Sequence, residues 1–245
     1  MLVTGASKGI GAEIAGGLGR EGAHVVAHYG HDRAGAEAAT ADIPDDRKLL
    51  IGADLFDASE TQRVWAEATA WRPVDVLVLN AAVMEDTPFD GTLEEWHTGW
   101  ERAWRINVQA PADLTRAALA HFVERGGGVL ITISSWVAQR GSGGRGLAAY
   151  AASKAAVKAF TQTVARHYGK QGVLAYVLAP GVVDTQLSQK AAAMFGGADV
   201  VKAGLAMGEM VPPEEVADLV VWLAGGQARH LTGSTLDLNG ATYVR

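Results

Sequence analysis

Cysteine is absent from the 245 residues, which excludes disulfides, thiolate nucleophiles and cysteine-held zinc, and suits a reducing, cytoplasmic setting. Positive charge is in the minority, with 21 Lys and Arg against 27 Asp and Glu. No basic run exceeds a pair, so the footprint of a nucleic-acid or anionic-membrane binder is missing. No stretch approaches the ~20 apolar residues of a bilayer span, and Met1-Leu2-Val3-Thr4-Gly5 lacks the basic-then-apolar order of an export signal. His28 and His31 are close in sequence but have no partner at metal-ligand spacing, so no metal site is expected. No low-complexity linker or long-period repeat divides the chain, so one domain over 1–245 is expected.

What is present is a rhythm. Mostly apolar runs recur at Leu2–Val3, His24–Tyr29, Lys48–Ala53, Val74–Asn80, Gly128–Ser134, Val173–Ala179 and Ser234–Asn239. Continuous apolar runs, in place of alternation, fit parallel strands covered on both faces. Helical periodicity lies between them, over Gly11–Arg20, Glu60–Ala70, Thr92–Arg125, Ala149–Gln171 and Pro213–Ala224, with Ser59 and Pro213 as opening signals. Strand and helix alternating with short joints predict a doubly wound α/β sheet of the Rossmann type, with helices on both faces.

The first joint, Thr4-Gly5-Ala6-Ser7-Lys8-Gly9-Ile10-Gly11, follows the opening strand and starts the opening helix. Glycines there let the backbone approach a pyrophosphate while free N–H groups and the helix dipole face it. The same residues satisfy G-x-S-x-G, the elbow of a serine hydrolase, with His230 downstream. That elbow needs earlier strands and an earlier loop for its second oxyanion donor, and only Met1 to Val3 precede it here.

Tyr150 and Lys154 stand four apart, on one face of a helix. Bringing a phenol of pKa about 10 to neutrality takes roughly 4 kcal/mol of preference for the phenolate. A cation about 5 Å away at an effective dielectric of about 20 supplies roughly 3 kcal/mol. The pair therefore predicts a tyrosine made acidic by its lysine.

Thr4 to Gly11, Asn80-Ala81-Ala82, Asn107, Ser135, Tyr150-x-x-x-Lys154 and Pro180-Gly181 occur in the order and approximate spacing of a short-chain dehydrogenase/reductase, and the resemblance covers the whole chain. The tail Leu231 to Gly240 is similar to the 3-oxoacyl-[acyl-carrier-protein] reductase branch. The resemblance implies seven parallel strands, a nicotinamide cofactor, a small-molecule carbonyl or alcohol substrate, an acyl-carrier protein as a further partner, and a homotetramer or homodimer. It implies that Tyr150 donates the proton to a substrate oxygen, that Lys154 lowers its pKa and holds the ribose, that Ser135 hydrogen-bonds the same oxygen, and that Asn107 holds a water linking Lys154 to solvent. Ser134 is the rival to Ser135, which lies 15 residues before Tyr150, a surplus assigned to the Gly141–Gly146 loop.

Cofactor contacts are expected from Gly5, Ser7, Lys8, Gly9, Ile10, Gly11, Tyr29, His31, Arg33, Asp54, Leu55, Asn80, Ala81, Ala82, Tyr150, Lys154, Pro180, Gly181, Val183 and Thr185. Past the second strand the slot near Tyr29 is not acidic, and Lys8, Arg33 and His31 offer positive charge, so NADP(H) is expected, with NAD as the alternative through Asp32. Residues 186–211, with Leu187, Met194, Phe195, Leu205, Met207 and Met210, suit an apolar lid. Trp96, Trp100 and Trp104 recur every four residues and are expected in the core or at a subunit interface. Gly126 and Gln171, with Arg125 and Lys170 beside them, give an acidic carrier protein little to grip.

Overall fold

The computed structural model describes residues 1–144, 146–193 and 195–245. In chain order the elements are β1 (Leu2–Val3), α1 (Gly9–Arg20), β2 (Val25–Tyr29), α2 (Arg33–Ala39), β3 (Lys48–Gly52), α3 (Ala58–Trp71), β4 (Val76–Leu79) and α4 (Leu93–Trp104). A π-helical turn, Arg105–Gln109, leads into α5 (Ala110–Glu124), followed by β5 (Gly128–Ile133), α6 (Val137–Arg140), α7 (Ala148–Tyr168), β6 (Val173–Pro180), α8 (Gln186–Ala193), α9 (Ala198–Ala203), α10 (Pro213–Ala224) and β7 (Thr235–Leu238).

All seven strands pair in parallel in the order β3-β2-β1-β4-β5-β6-β7. The order reverses between β1 and β4, which opens a crevice at the carboxyl ends of those strands. One face of the sheet packs Ile14, Leu18, Val216, Val220 and Leu223 from α1 and α10. The other packs Val64, Leu114, Phe122 and Val164 from α3, α5 and α7. Both faces are covered, which is why the strands read as apolar throughout. No helix of the described residues is long and apolar enough to cross a membrane.

Two local readings are corrected. The span Thr92–Arg125 is not one regular helix but α4, the π-helical turn and α5. Pro111 has no N–H to offer the carbonyl of Asn107 four residues earlier, so the ladder slips to the wider spacing seen in the bond from Ala110 N to Arg105 O. The cap of α3 is Asp57, whose carboxylate accepts from Ser59 N at 2.7 Å and Glu60 N at 3.4 Å, and not Ser59. Of the three tryptophans expected in the core or at a subunit interface, Trp104 is 47% exposed, and Trp96 packs against both Phe89 and Trp100, with ring centres 5.4 and 5.5 Å away.

Candidate active site

The glycine turn is fixed by its neighbours. Gly5 has φ +68° and a Cβ there would lie 2.8 Å from Ala81 Cα, so only glycine fits. Asn80 Nδ2 donates to Thr4 O at 2.9 Å and Gly5 O at 3.0 Å, and Thr4 Oγ1 accepts from Asn80 N and Ala81 N at 2.9 and 3.1 Å. A Cβ on Gly11 would collide with Gly5 O and Asn80 Nδ2. The turn therefore closes tightly at the foot of α1, whose first turn carries no acidic side chain and no side-chain cap. Its leading N–H groups face the crevice, an arrangement that suits an anion.

A cleft of about 380 Å³ runs from this turn across the carboxyl ends of the strands. Gly5, Ser7, Lys8, Gly9, Ile10, Gly11, His31, Asp54, Leu55, Asn80, Ala81, Ala82, Ser135, Tyr150, Lys154, Pro180, Gly181, Val183 and Thr185 all line it, bringing together nearly every residue the sequence singled out. Leu187 reaches it from α8. Farther along the lid, Phe195 lies over Gly144 and Met210 is buried, whereas Met194 lies outside the described residues.

Three expected residues do not line the cleft. The ring of Tyr29 lies against Gly52, where a Cβ would meet it at 2.9 Å. Arg33 turns along α2 to pair with Glu37 at 2.8 Å. Asn107 is buried in the π-helical turn with its amide fully engaged: Oδ1 accepts from Val83 N at 2.8 Å, and Nδ2 donates to Val83 O at 2.8 Å and Ser153 Oγ at 3.0 Å. Its side chain is a clamp between the segment after β4 and α7. Asp32 does line the cleft, but one carboxylate oxygen caps α2 by accepting from Gly35 N at 2.8 Å.

α7 presents Tyr150 and Lys154 on one face, as their spacing predicts. Its first turn is capped from afar: Thr87 Oγ1 accepts from Ala149 N at 3.3 Å and donates to Gly146 O at 3.0 Å. Lys154 Nζ lies 5.7 Å from the centre of the Tyr150 ring and donates to Ile133 O at 2.8 Å. Burial lowers Lys154 to about 8. Burial raises Tyr150 to about 12, with the neighbouring Ser135 side chain acting in the opposite direction. The expected acidification of Tyr150 is therefore not a property of the protein alone: desolvation outweighs the hydrogen bond from Ser135, and the same burial disfavours the charged form of Lys154. The phenol stays protonated at neutral pH, as a proton donor must be. Between the two serines, Ser134 Oγ is spent on Lys154 O at 2.8 Å, leaving Ser135 to face Tyr150.

His28 gave no clear sequence signal beyond being a polar residue inside an apolar strand. It is 2% exposed, and burial lowers it to about 4. The hydrolase reading fails on position, since His230 sits just before β7, at the opposite end of the sheet from Ser7. Among the described residues no group of three or more His, Asp or Glu is placed to hold a metal.

Residues 1–195 match the family described as short chain dehydrogenase. The chain is 32% identical over 254 residues to acetoacetyl-CoA reductase of Allochromatium vinosum, covering 99% of this chain and 98% of that one. It is 31% identical over 248 residues to L-rhamnose 1-dehydrogenase (NAD(P)(+)) of Sphingomonas sp., covering 100% and 96%. The crystal structure of a 3-oxoacyl (acyl-carrier-protein) reductase from Agrobacterium tumefaciens, solved with NADP bound, superposes with a TM-score of 0.87 at 32% identity, covering 98% of this chain and 92% of that one. Fold, cleft and sequence agree, and the chain belongs to the short-chain dehydrogenase/reductase family of oxidoreductases.

Proposed function

We propose that the protein is an NADPH-dependent carbonyl reductase, acting on a 3-oxoacyl thioester or a comparable apolar ketone. The observation that carries this reading is the convergence of Ser135, Tyr150 and Lys154 on the cleft that begins at the glycine turn. The residues present fit a dinucleotide: the turn excludes any Cβ at Gly5 and Gly11, and the first turn of α1 is free of acidic side chains. When bound, the nicotinamide supplies a hydride to the carbonyl carbon. Tyr150 delivers its proton to the carbonyl oxygen, giving the secondary alcohol, and in the reverse direction takes it back. Ser135 holds the same oxygen and stabilises the charge that develops on it. Lys154 places a cation behind the phenol and offers N–H donors to the ribose hydroxyls. Asn107, with its amide occupied, positions α7 through Ser153 next to Lys154.

NADPH is favoured over NADH by Lys8 and His31 at the cleft, and by the use of Asp32 as a helix cap. Arg33, held by Glu37, contributes less than its sequence position promised. An acyl-carrier protein is the weaker of the substrate carriers: Arg125 is paired with Asp75 at 3.2 Å, and in the hollow lined by Glu85, Asp86, Glu94 and Glu95 the one cation, Arg102, is paired with Glu85 at 2.8 Å. Exposed Phe89, Leu93 and Trp104 are apolar surfaces that a second copy would cover in a homotetramer or homodimer. A second reading, a dehydrogenase of sugars or alcohols, is favoured by the likeness to L-rhamnose 1-dehydrogenase.

A panel of 3-oxoacyl thioesters, simple ketones, sugars and alcohols, followed at 340 nm with NADPH and NADH, separates the readings. Reduction of ketones with NADPH, cut about 10²-fold or more by Tyr150→Phe with cofactor binding retained, is expected. Near-normal turnover in that variant, or oxidation of sugars alone, overturns the proposal.

A further inference from the structure

The ring of His28 bridges two walls of the cleft. It stands at the end of β2, the strand between β1 and β3. Nδ1 accepts from Gly5 N at 3.2 Å, within the glycine turn that follows β1. Nε2 bonds to Ala53 O at 3.0 Å, just past β3, and Asp54 and Leu55 of the cleft wall come next. A backbone N–H only donates and a carbonyl only accepts, so these two partners fix the neutral Nε2–H tautomer. The β2 backbone adds bonds of its own on either side, from Ala6 N to His28 O at 2.8 Å and from Ala53 N to Tyr29 O at 3.0 Å. Those backbone bonds tie the three strands whatever residue stands at 28. From β2 the ring reaches Gly5 N, the other side of a residue whose carbonyl Asn80 Nδ2 holds at 3.0 Å and whose left-handed conformation makes the turn possible.

We propose that His28 is a positioning residue for the dinucleotide, setting the separation between the phosphate-facing turn at Gly5 and the wall at Asp54 and Leu55. The proposal rests on the dinucleotide reading of the cleft. His28 touches neither the Tyr150 face nor Lys154, so its effect falls on the binding of the cofactor and not on the proton transfer. Replacing the ring takes from the half-buried Gly5 N its protein partner and leaves the turn held against β4 by Asn80 but no longer, through a side chain, against β2.

Three variants divide the two bonds. His28→Leu removes both, His28→Asn keeps an acceptor near the Nδ1 position for Gly5, and His28→Gln keeps a donor near the Nε2 position for Ala53. The measurement is the Kd of NADPH by fluorescence titration on the full chain, together with kcat at saturating NADPH. His28→Leu is expected to raise Kd about tenfold and His28→Asn by less than about threefold, with kcat at saturation within about twofold of the wild type. Should the leucine variant fail to fold, the asparagine and glutamine variants decide: tighter binding by asparagine supports the proposal, and equal wild-type affinity in both overturns it. Unchanged Kd in the leucine variant also overturns it, as does a fall in kcat with no change in Kd. Failure of the wild type to bind either NADPH or NADH is a different result, since it removes the dinucleotide reading itself.

Discussion

The Lys154 ammonium passes the Tyr150 ring at 5.7 Å from its centre and ends on the carbonyl of Ile133, 2.8 Å away. The lysine is thus anchored to the end of β5 and not to the phenol. Holding a cation there is unfavourable in the protein alone, because burial takes its pKa from 10.5 to about 8, roughly 3 kcal/mol at 1.4 kcal/mol per unit. The pKa is depressed, so stability rises with pH between about 8 and 10.5 as the folded protein sheds the proton that the unfolded chain keeps.

Lys154→Met should therefore cut turnover by on the order of 10²-fold or more without lowering Tm at pH 7. Turnover and thermal melting of the same preparation test this. A melting point several degrees below the wild type would show that the buried ammonium stabilises the fold after all.

Asn107→Ala should destabilise the protein by about 2–4 kcal/mol, since it strands the N–H and carbonyl of Val83 and opens a gap beside Ser153. Denaturant titration measures the loss. kcat should fall as well, because Ser153 adjoins Lys154, and Asn107→Asp should recover only the bond from Val83 N. A variant with wild-type stability would remove the clamp assigned to this amide.

His28 gives the fold an acid sensitivity. Its pKa is depressed to about 4 from 6.5, chiefly by burial, with the Ala53 bond opposing and Arg63 and Asp54 adding smaller effects of opposite sign. The unfolded chain takes up this proton first as pH falls, so stability present above pH 6.5 is lost progressively down to about 4, by roughly 3 kcal/mol in all. Denaturant unfolding of wild type and His28→Asn at pH 7 and pH 4 should show that much more loss in the wild type. Parallel losses in the two proteins would place the acid sensitivity elsewhere.

Much of this was legible in the sequence because the sheet is covered on both sides. Apolar runs such as Val74–Asn80 and Val173–Ala179 match β4 and β6 to within two residues at each end. The glycine turn and the Tyr150–Lys154 spacing were equally readable, since each rests on local geometry. What escaped depends on partners far along the chain. The pairing of Arg33 with Glu37 could not be read before α2 was known to form there. The partners that hold the Asn107 side chain could not be read locally, since Val83 and Ser153 come to it from 24 residues before and 46 after. The break in the long helix did have a local signal, Pro111, whose missing amide acts four residues upstream of where it sits. The acidity of Tyr150 was misjudged because a charge pair can be counted from spacing and a desolvation cost cannot.

Thr87 closes the first turn of α7 from a loop 62 residues away in the chain, through its bond from Ala149. The reach of the Tyr150 hydroxyl is thereby tied to the placement of a threonine outside the cleft. A change such as Thr87→Val, matched in size but without the hydroxyl, would loosen the hinge on which the acid hangs, and the damage would surface as lost chemistry at an unaltered tyrosine.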